Sequence, residues 1–185
     1  MDELSLYVLD ITMNSVRAGA TEILIELREE GEWLYFSVTD NGCGMHEEQV
    51  RRLTDPFFTT RKTRKVGLGI PFLMMLARMT GGDVTIESKH ESLGPDHGTK
   101  TTAVFGRHHI DFIPVGDMVG TVKTLIQGAP DINFTYLHRT ENGEVSLSCR
   151  EIREVLGDDI PLNEPEILSW IGGTLEEQYE ALETE

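Results

Sequence analysis

Three short polar segments lie in a fixed order in the first part of the chain, each next to a predicted helix or strand. They cover residues 10–20, 40–45 and 55–70. Together they combine carboxylates, an asparagine, threonine hydroxyls, a run of cations and several glycines. A fold for this chain therefore has to gather the ends of several elements around one site.

The spacing of apolar residues predicts the elements that carry these segments. Residues 2–17 are predicted to form an amphipathic helix, because apolar residues recur at helical spacing at Leu6, Leu9, Met13 and Val16. Two strands follow, joined by a tight turn at residues 30–32. Their alternating apolar positions are Ile23, Ile25, Leu27, Leu34, Phe36 and Val38.

The next stretch predicts a short helix at residues 46–53, an irregular loop at 55–66, a third helix and two further strands near 83–88 and 99–106. The third helix is marked by Leu68, Phe72, Met75 and Met79. This order is typical of an α+β fold, a two-layer α/β sandwich in which helices cover one face of a mixed, mainly antiparallel sheet. We assign that fold to residues 1–109.

The pattern changes after His109. A helix is predicted at residues 116–127, a hairpin at 132–149 and short acidic helices at 149–156 and 164–182. Residues 1–109 hold 16 acidic and 12 basic side chains, whereas residues 110–185 hold 16 acidic and only 4 basic ones. We therefore predict a second unit at 110–185, a small acidic C-terminal α/β extension with a role of its own.

The net charge of −16 narrows the choice of partners. Phosphate backbones are bound by an excess of lysine and arginine, so no nucleic-acid partner is expected for the acidic extension. Two interpretations of its charge remain open, a solvated surface or a docking face for a basic protein partner.

Several features favour a reducing cytoplasm as the location. No apolar run approaches the roughly 20 residues that span a bilayer, so no membrane segment is expected. The acidic start of the chain lacks the basic-then-apolar plan of a signal peptide. Cys43 and Cys149 do not form a CxxC pair, which argues against a disulfide framework or a zinc site.

Asp10 and Asn14 lie four residues apart and therefore share one face of the first predicted helix. An asparagine oxygen is a suitable ligand for Mg²⁺, which keeps several waters and takes further ligands from phosphates. A carboxylate one turn away could orient or deprotonate a water that attacks a γ-phosphate. The alternative is an ordinary polar helix face.

Asp40 continues the inward parity of its strand and is followed by Gly42 and Gly44. A carboxylate that only accepts hydrogen bonds would suit the exocyclic amine of adenine, and glycines would allow the backbone to approach the base. The alternative is a common turn at the end of a strand. The third glycine of a dinucleotide-binding loop is missing, and so is a Walker-type phosphate loop.

The third segment holds the one basic run of an acidic chain. Hydroxyls, cations and a helix N-terminus suit phosphate oxygens. The hydroxyls and cations belong to Thr59, Thr60, Arg61, Lys62, Arg64 and Lys65, which precede Gly67, Leu68, Gly69 and the third helix. Thr99 opens the last strand of the first unit, where its hydroxyl could reach Asp40 through a water. The alternative, which this segment taken alone favours, is a simple turn at residues 97–99.

The segments resemble, in order, the N, G1, F, G2 and G3 boxes of the GHKL ATPase superfamily, over roughly residues 4–106. The resemblance implies a Bergerat-type, histidine-kinase-like ATP site. In that site Asn14 would hold Mg²⁺, Asp40 would bind the adenine amine and Gly42 and Gly44 would lie at the base. The other residues implied are Thr59, Thr60 and Arg61 in the lid, Gly67, Leu68 and Gly69 around the phosphates, and Thr99 behind Asp40.

Two departures from the family leave the reaction open. Hydrolytic members place a glutamate where this chain has Asp10, which is shorter by one methylene group. Histidine kinases carry a phosphoacceptor on a helical hairpin that is not found ahead of the first helix here, and His46-Glu47 does not replace it. Lys123 is the single lysine after residue 100 but lies in an ordinary helical pattern.

These features predict an Mg-dependent ATP-binding protein that acts on a protein partner by phosphotransfer in trans or by a nucleotide-dependent switch. The alternatives are a weak ATPase with Asp10 as general base and a non-catalytic nucleotide sensor.

Overall fold

The computed structural model describes residues 2–55 and 69–183. Within those ranges, no helix is long and apolar enough to cross a membrane. The described residues form one open six-stranded sheet with helices packed against it.

The sheet brings strands from both ends of the chain together in the order β3-β4-β2-β1-β5-β6. Four neighbouring pairs are antiparallel, and the pair of β1 with β5 is parallel. The strands are β1 (Glu22–Glu30), β2 (Trp33–Asp40), β3 (Asp83–Lys89), β4 (Gly98–Gly106), β5 (Asn133–Thr140) and β6 (Gly143–Ser148). This mixed, mainly antiparallel sheet confirms the predicted α+β class.

Six α-helices lie before, between and after the strands in the described ranges. They are α1 (Leu4–Arg17), α2 (Glu47–Thr54), α3 (Gly69–Met79), α4 (Met118–Gly128), α5 (Cys149–Leu156) and α6 (Pro165–Glu183). A single 3₁₀ turn at Glu91–Leu93 connects β3 to β4.

One face of the sheet is buried from edge to edge. Alternate residues of β1 and β2 are buried, as the sequence pattern predicts, and the residues aligned with them on β4 and β5 are buried too. Phe36 of β2, for example, pairs with Ala103 of β4, and Ile25 of β1 pairs with Tyr136 of β5. The opposite face is only half-buried, so the helices cover the sheet from one side.

Two helices turn a different face to the core than the sequence spacing indicates. In α1 the buried positions include Leu4, Val8, Ile11 and Ser15, whereas Leu6 of the predicted stripe is exposed. In α3 the exposed apolar residues are Phe72, Met75 and Met79, and the buried residues are Gly69, Ile70, Leu73, Met74 and Ala77. Both helices carry apolar residues on more than one side, so spacing alone fits two overlapping stripes.

The acidic C-terminal region continues the same sheet. Strand β5 pairs in parallel with β1 after a crossover through α4, and α4 packs on both α1 and α6. The connecting segment is fixed to the start of α1, because the amides of Leu4 and Ser5 donate to the carbonyls of Pro114 and Val115, each at 2.8 Å. The boundary after residue 109 stays a prediction about separate roles.

A buried polar cluster attaches α6 to the sheet. The hydroxyls of Tyr136 and Tyr179 are 2.5 Å apart, and the Tyr179 hydroxyl is 2.8 Å from Nδ1 of His138. His138 Nε2 lies 3.4 Å from Oε1 of Glu29 on β1. The hydrogen bond from His138 lowers the pKa of Glu29, and burial raises the pKa of Tyr179 to about 12.

We predict that Tyr179→Phe lowers the free energy of unfolding by about 1–3 kcal/mol, since it leaves buried polar groups of Tyr136 and His138 without a partner. Urea unfolding at neutral pH measures this loss. Tyr35→Phe is the matched control, because the Tyr35 ring contacts the Arg28 guanidinium through its face, with the two centres 4.4 Å apart. Equal losses in both variants would contradict the anchoring role of Tyr179.

Candidate functional site

Helix α1 brings two of the predicted site residues to the start of α3. A Cβ atom added to Gly69, the first residue of α3, would lie 2.0 Å from Oδ2 of Asp10. A larger residue at this position would force the Asp10 carboxylate to move. The Asp10 carboxylate lies at the N-terminus of α3, where helix dipoles favour negative charge. The first and third predicted segments thus meet at Asp10 and Gly69.

Asn14 lies one turn further along α1 and is only partly buried. Its Oδ1 atom accepts a hydrogen bond of 3.0 Å from Nη1 of Arg17. An amide oxygen has two lone pairs, so one acceptor site of Asn14 remains for another ligand. Arg17 is exposed and is a neighbour of this oxygen that the sequence reasoning did not consider.

Asp40 is fixed by hydrogen bonds at both carboxylate oxygens. Oδ1 accepts from the amide of Gly42 at 2.9 Å, and Oδ2 accepts from the hydroxyl of Ser15 at 2.5 Å. An ionised carboxylate has about four lone-pair sites. Asp40 can therefore still accept a hydrogen bond from an amine while its orientation is held by the protein.

Ser15 is a residue of the candidate site that the sequence reasoning missed. It lies on α1 directly after Asn14, and only 4% of its surface is exposed. A signal was present, since Ser15 interrupts the apolar stripe of Leu4, Val8 and Ile11 on the buried face. A polar residue at such a position needs a hydrogen-bond partner, and here the partner is Asp40.

The predicted glycines approach the protein's own backbone closely. Gly44 has a φ of +69°, and a Cβ atom there would lie 1.9 Å from the carbonyl oxygen of Lys89. A Cβ atom on Gly42 would lie 2.8 Å from Cβ of Ala18, at the end of α1. These contacts hold the turn after β2 against α1 and β3. The predicted role of both glycines at a base stays a prediction.

Thr99 lies beside Asp40 in the sheet. The β2–β4 register pairs Asp40 with Thr99, and the β3–β4 register pairs Thr99 with Ser88. The hydroxyls of Ser88 and Thr99 are 2.7 Å apart, and Ser88 Oγ also accepts from the amide of Met45 at 2.8 Å. Ser88 is therefore a second residue that the sequence reasoning did not identify. It connects Thr99 to the turn that follows Asp40.

Five predicted ligand residues lie outside the described residues, namely Thr59, Thr60, Arg61, Gly67 and Leu68. Their assignment to phosphate binding stays a prediction.

The polar groups described suit a metal ion that arrives with its own ligands. Among residues 2–55 and 69–183, no group of three or more His, Cys, Asp or Glu side chains could hold a metal. Asn14 contributes one amide oxygen, and Mg²⁺ is commonly held by one or two protein oxygens together with phosphates and waters. The donor set therefore fits an ion bound together with a nucleotide and not a free metal site.

Lys123 packs against the C-terminal helix. A Cβ atom on Gly172 of α6 would lie 3.0 Å from Cδ and 3.4 Å from Nζ of Lys123. The lysine side chain thus lies along the α4–α6 contact, which is the ordinary helical role that its sequence pattern indicates.

Comparison with known proteins finds relatives for the same part of the chain. The family model described as histidine kinase-, DNA gyrase B-, and HSP90-like ATPase matches residues 2–108. A putative sensor protein of Shewanella frigidimarina is 30% identical over 102 residues, which are 53% of this chain and 15% of that protein. The sensor histidine kinase WalK of Bacillus subtilis is 33% identical over 79 residues, 40% of this chain and 13% of that protein. The chain thus matches only a small part of the length of these relatives.

Two solved structures share the fold. The MutL ATPase domain of Aquifex aeolicus, complexed with ADP, has a TM-score of 0.54 at 18% identity over 84% of this chain and 69% of that chain. The N-terminal domain of a DNA repair protein has a TM-score of 0.55 at 18% identity over 85% of this chain and 58% of that chain. Both matches extend past residue 109, so the shared fold includes part of the C-terminal region. The comparisons confirm the GHKL resemblance and support ATP binding.

We predict that Ser15→Ala weakens ATP binding by about three- to tenfold, since Asp40 loses a hydrogen bond worth about 1 kcal/mol that holds its orientation. Isothermal titration calorimetry measures the change. Ser5→Ala is the matched control, because Ser5 is buried on the same helix and donates to the carboxylate of Glu3 at 2.6 Å. Weakening of equal size in both variants would contradict a specific role of Ser15.

Proposed function

We propose that this chain binds ATP with Mg²⁺ and uses the bound nucleotide to act on a protein partner. The chain belongs to the family of histidine kinase-, DNA gyrase B- and HSP90-like ATPases. The observation that carries this proposal is the position of α1. The helix holds Asp40 through Ser15 at one end of the site and places Asp10 against Gly69 at the other. A single rigid element thereby sets the spacing between a base acceptor and a helix N-terminus.

Asp40 is the proposed acceptor for the adenine amine. Its carboxylate is already oriented by Ser15 and Gly42 and keeps free lone pairs. Thr99 and Ser88 lie beside it in the sheet and would hold a water between the threonine hydroxyl and the base. A partly buried hydrogen-bonding site of this kind would discriminate against bases that lack the amine, because the Asp40 carboxylate would lose a hydrogen bond.

Asn14 is the proposed protein ligand of Mg²⁺. When bound, the ion would neutralise negative charge on the phosphates. Arg17 has to share the Asn14 oxygen or move away when that oxygen binds the ion. The phosphates would be held by the N-terminus of α3, by the predicted lid residues Thr59, Thr60 and Arg61, and by the backbone at Gly67, Leu68 and Gly69.

The partner is proposed to be a protein in a reducing cytoplasm, bound through the acidic C-terminal region. Phosphotransfer in trans and a nucleotide-dependent switch are both consistent with the site. Several of the relatives are kinases, which favours phosphotransfer. The chain matches only 8–20% of the length of these kinases.

A second candidate is slow ATP hydrolysis with Asp10 as general base. The contact between Asp10 and Gly69 favours it, because the carboxylate then lies at the end of the site where the phosphates are proposed to bind. Aspartate is shorter than the glutamate of hydrolytic relatives, so the attacking water would be less well placed. A non-catalytic sensor would bind ATP and show neither reaction.

We predict that Asn14→Ala weakens binding of ATP in the presence of Mg²⁺ by about tenfold or more, since the ion loses its protein ligand. Binding of ATP in the presence of a chelator should change much less. Calorimetric titrations with and without Mg²⁺ measure the difference. Equal weakening in both conditions would show that Asn14 acts on folding or on the nucleotide itself, and would contradict its role as metal ligand.

We predict that Asp10→Asn leaves ATP binding within about twofold of the wild type but lowers any hydrolysis by about 10²- to 10⁴-fold, since a general base contributes a factor of that size. Release of labelled phosphate from γ-labelled ATP measures turnover. Hydrolysis that persists in Asp10→Asn would exclude Asp10 as the base. Label that appears on an added candidate partner, and not in free phosphate, would favour phosphotransfer.

A further inference from the structure

An apolar groove lies in the C-terminal region, on the side of the sheet edge formed by β6. Its volume is about 610 Å³, within the range of about 300–1,000 Å³ that is typical of binding sites. The apolar walls come from α5 and from the first turns of α6, and the floor includes Leu147 of β6. This region lies outside residues 2–108, which the family model matches.

The walls of the groove carry large apolar side chains that face solvent. Val155 of α5 is 85% exposed and Trp170 of α6 is 56% exposed, although each has buried neighbours on its helix. Ile152 and Ile167 lie deeper between them. Contiguous exposed apolar surface with a polar rim is typical of an interaction site.

The rim of the groove is acidic. Glu151 and Glu166 line it, and residues 150–183 hold ten acidic side chains against two arginines. Both arginines are engaged elsewhere, because Arg150 pairs with Glu22 and Arg153 binds Asn133 and the carbonyl of Pro130. The charge of the rim is therefore not balanced by these two arginines, and it would attract a cationic partner.

The sheet edge beside the groove is closed to an added strand. Strand β6 is the last of the sheet, and Ser146 turns its amide and carbonyl outward. The amide donates to Oε1 of Gln178 at 2.8 Å, and the carbonyl accepts from Nε2 of Gln178 at 3.0 Å. The glutamine side chain thus occupies both outward backbone groups of Ser146, so a strand could not pair with the middle of β6 without displacing it.

We propose that this groove binds an amphipathic α-helix of a partner protein, with its apolar face between α5 and α6 and with lysine or arginine residues along both flanks. A helix satisfies its own backbone and needs no edge strand, whereas its apolar side chains would cover Val155 and Trp170. A second copy of this chain is a poor occupant, because like charges on both rims would repel. The proposal deepens the proposed function, in that it locates the surface for the protein partner.

The test uses a synthetic helix of about 18 residues, roughly 27 Å long, with leucines on one face and lysines on the other. It is titrated into the full chain carrying Trp33→Phe, so that Trp170 is the remaining tryptophan. We expect one peptide to bind per chain and the Trp170 emission to shift to shorter wavelength. Binding should weaken as salt is added.

Two matched variants distinguish binding of the peptide in the groove from general attraction of a cationic peptide to an acidic protein. Val155→Asp should weaken binding by about tenfold or more, because the interface would have to bury an unpaired carboxylate. Ile110→Asp adds the same charge at another exposed apolar residue, 94% exposed and outside the groove, and should leave the affinity unchanged. Both residues are exposed, so both variants should fold, and urea unfolding checks that they do. The double variant Glu151→Gln and Glu166→Gln should weaken binding and reduce its salt dependence.

Several results would overturn the proposal. One is that the peptide does not bind, and another is that Val155→Asp and Ile110→Asp weaken binding equally. A third is that the chain binds a control peptide as tightly as the original one, where the control has glutamates in place of the lysines or has its leucines distributed around the helix. A dimer in sedimentation that Val155→Asp dissociates would also overturn it, since a second copy would then be the occupant. ATP binding is measured on the same variants without peptide, so failure of the groove and failure of the nucleotide site give different results.

Discussion

The hydrogen bond from Ser15 to Asp40 joins the two parts of the candidate site. It crosses from α1 to the end of β2 and is only 2.5 Å long. The other side of α1 is part of the core through Leu4, Val8 and Ile11, so the helix cannot shift without loss of packing. Asp10 and Asn14 are therefore held at a fixed distance from Asp40, which is what a ligand with a base at one end and phosphates at the other requires.

The sequence predicted those parts of the site that depend on local pattern. Alternation through Leu34, Phe36 and Val38 placed Asp40 on the inward side of β2, and the structure confirms that Asp40 faces α1. The buried faces of the helices were harder to predict from the sequence. Helices α1 and α3 have apolar residues on more than one side, and only contact with the sheet determines which side is buried. Ser15 and Ser88 were missed for a related reason. Each acts through a partner that is far away in sequence, and single-residue chemistry gives no sign of that partner.

The C-terminal region divides in the same way. The sequence indicated the charge of this region and the order of its helices and strands, but not the position of its strands in the sheet. Parallel pairing of β1 with β5 joins residues more than 100 positions apart, and no local signal specifies it. The network of Tyr179, His138 and Glu29 likewise combines α6, β5 and β1. The two halves of the chain are thus connected by one sheet and one buried polar cluster, whatever their separate roles are.

That parallel pairing makes β1 an interior strand, although in the first 109 residues alone it would be the last. Without the residues after 109, the backbone groups along one side of β1 would face water, next to the apolar row of Ile23, Ile25 and Leu27. An uncovered strand of this kind is a template for pairing between chains. By pairing with β1, strand β5 of the acidic region therefore protects that strand from pairing with another chain. A chain shortened at residue 109 would need another element beside β1, in place of β5, to remain monomeric.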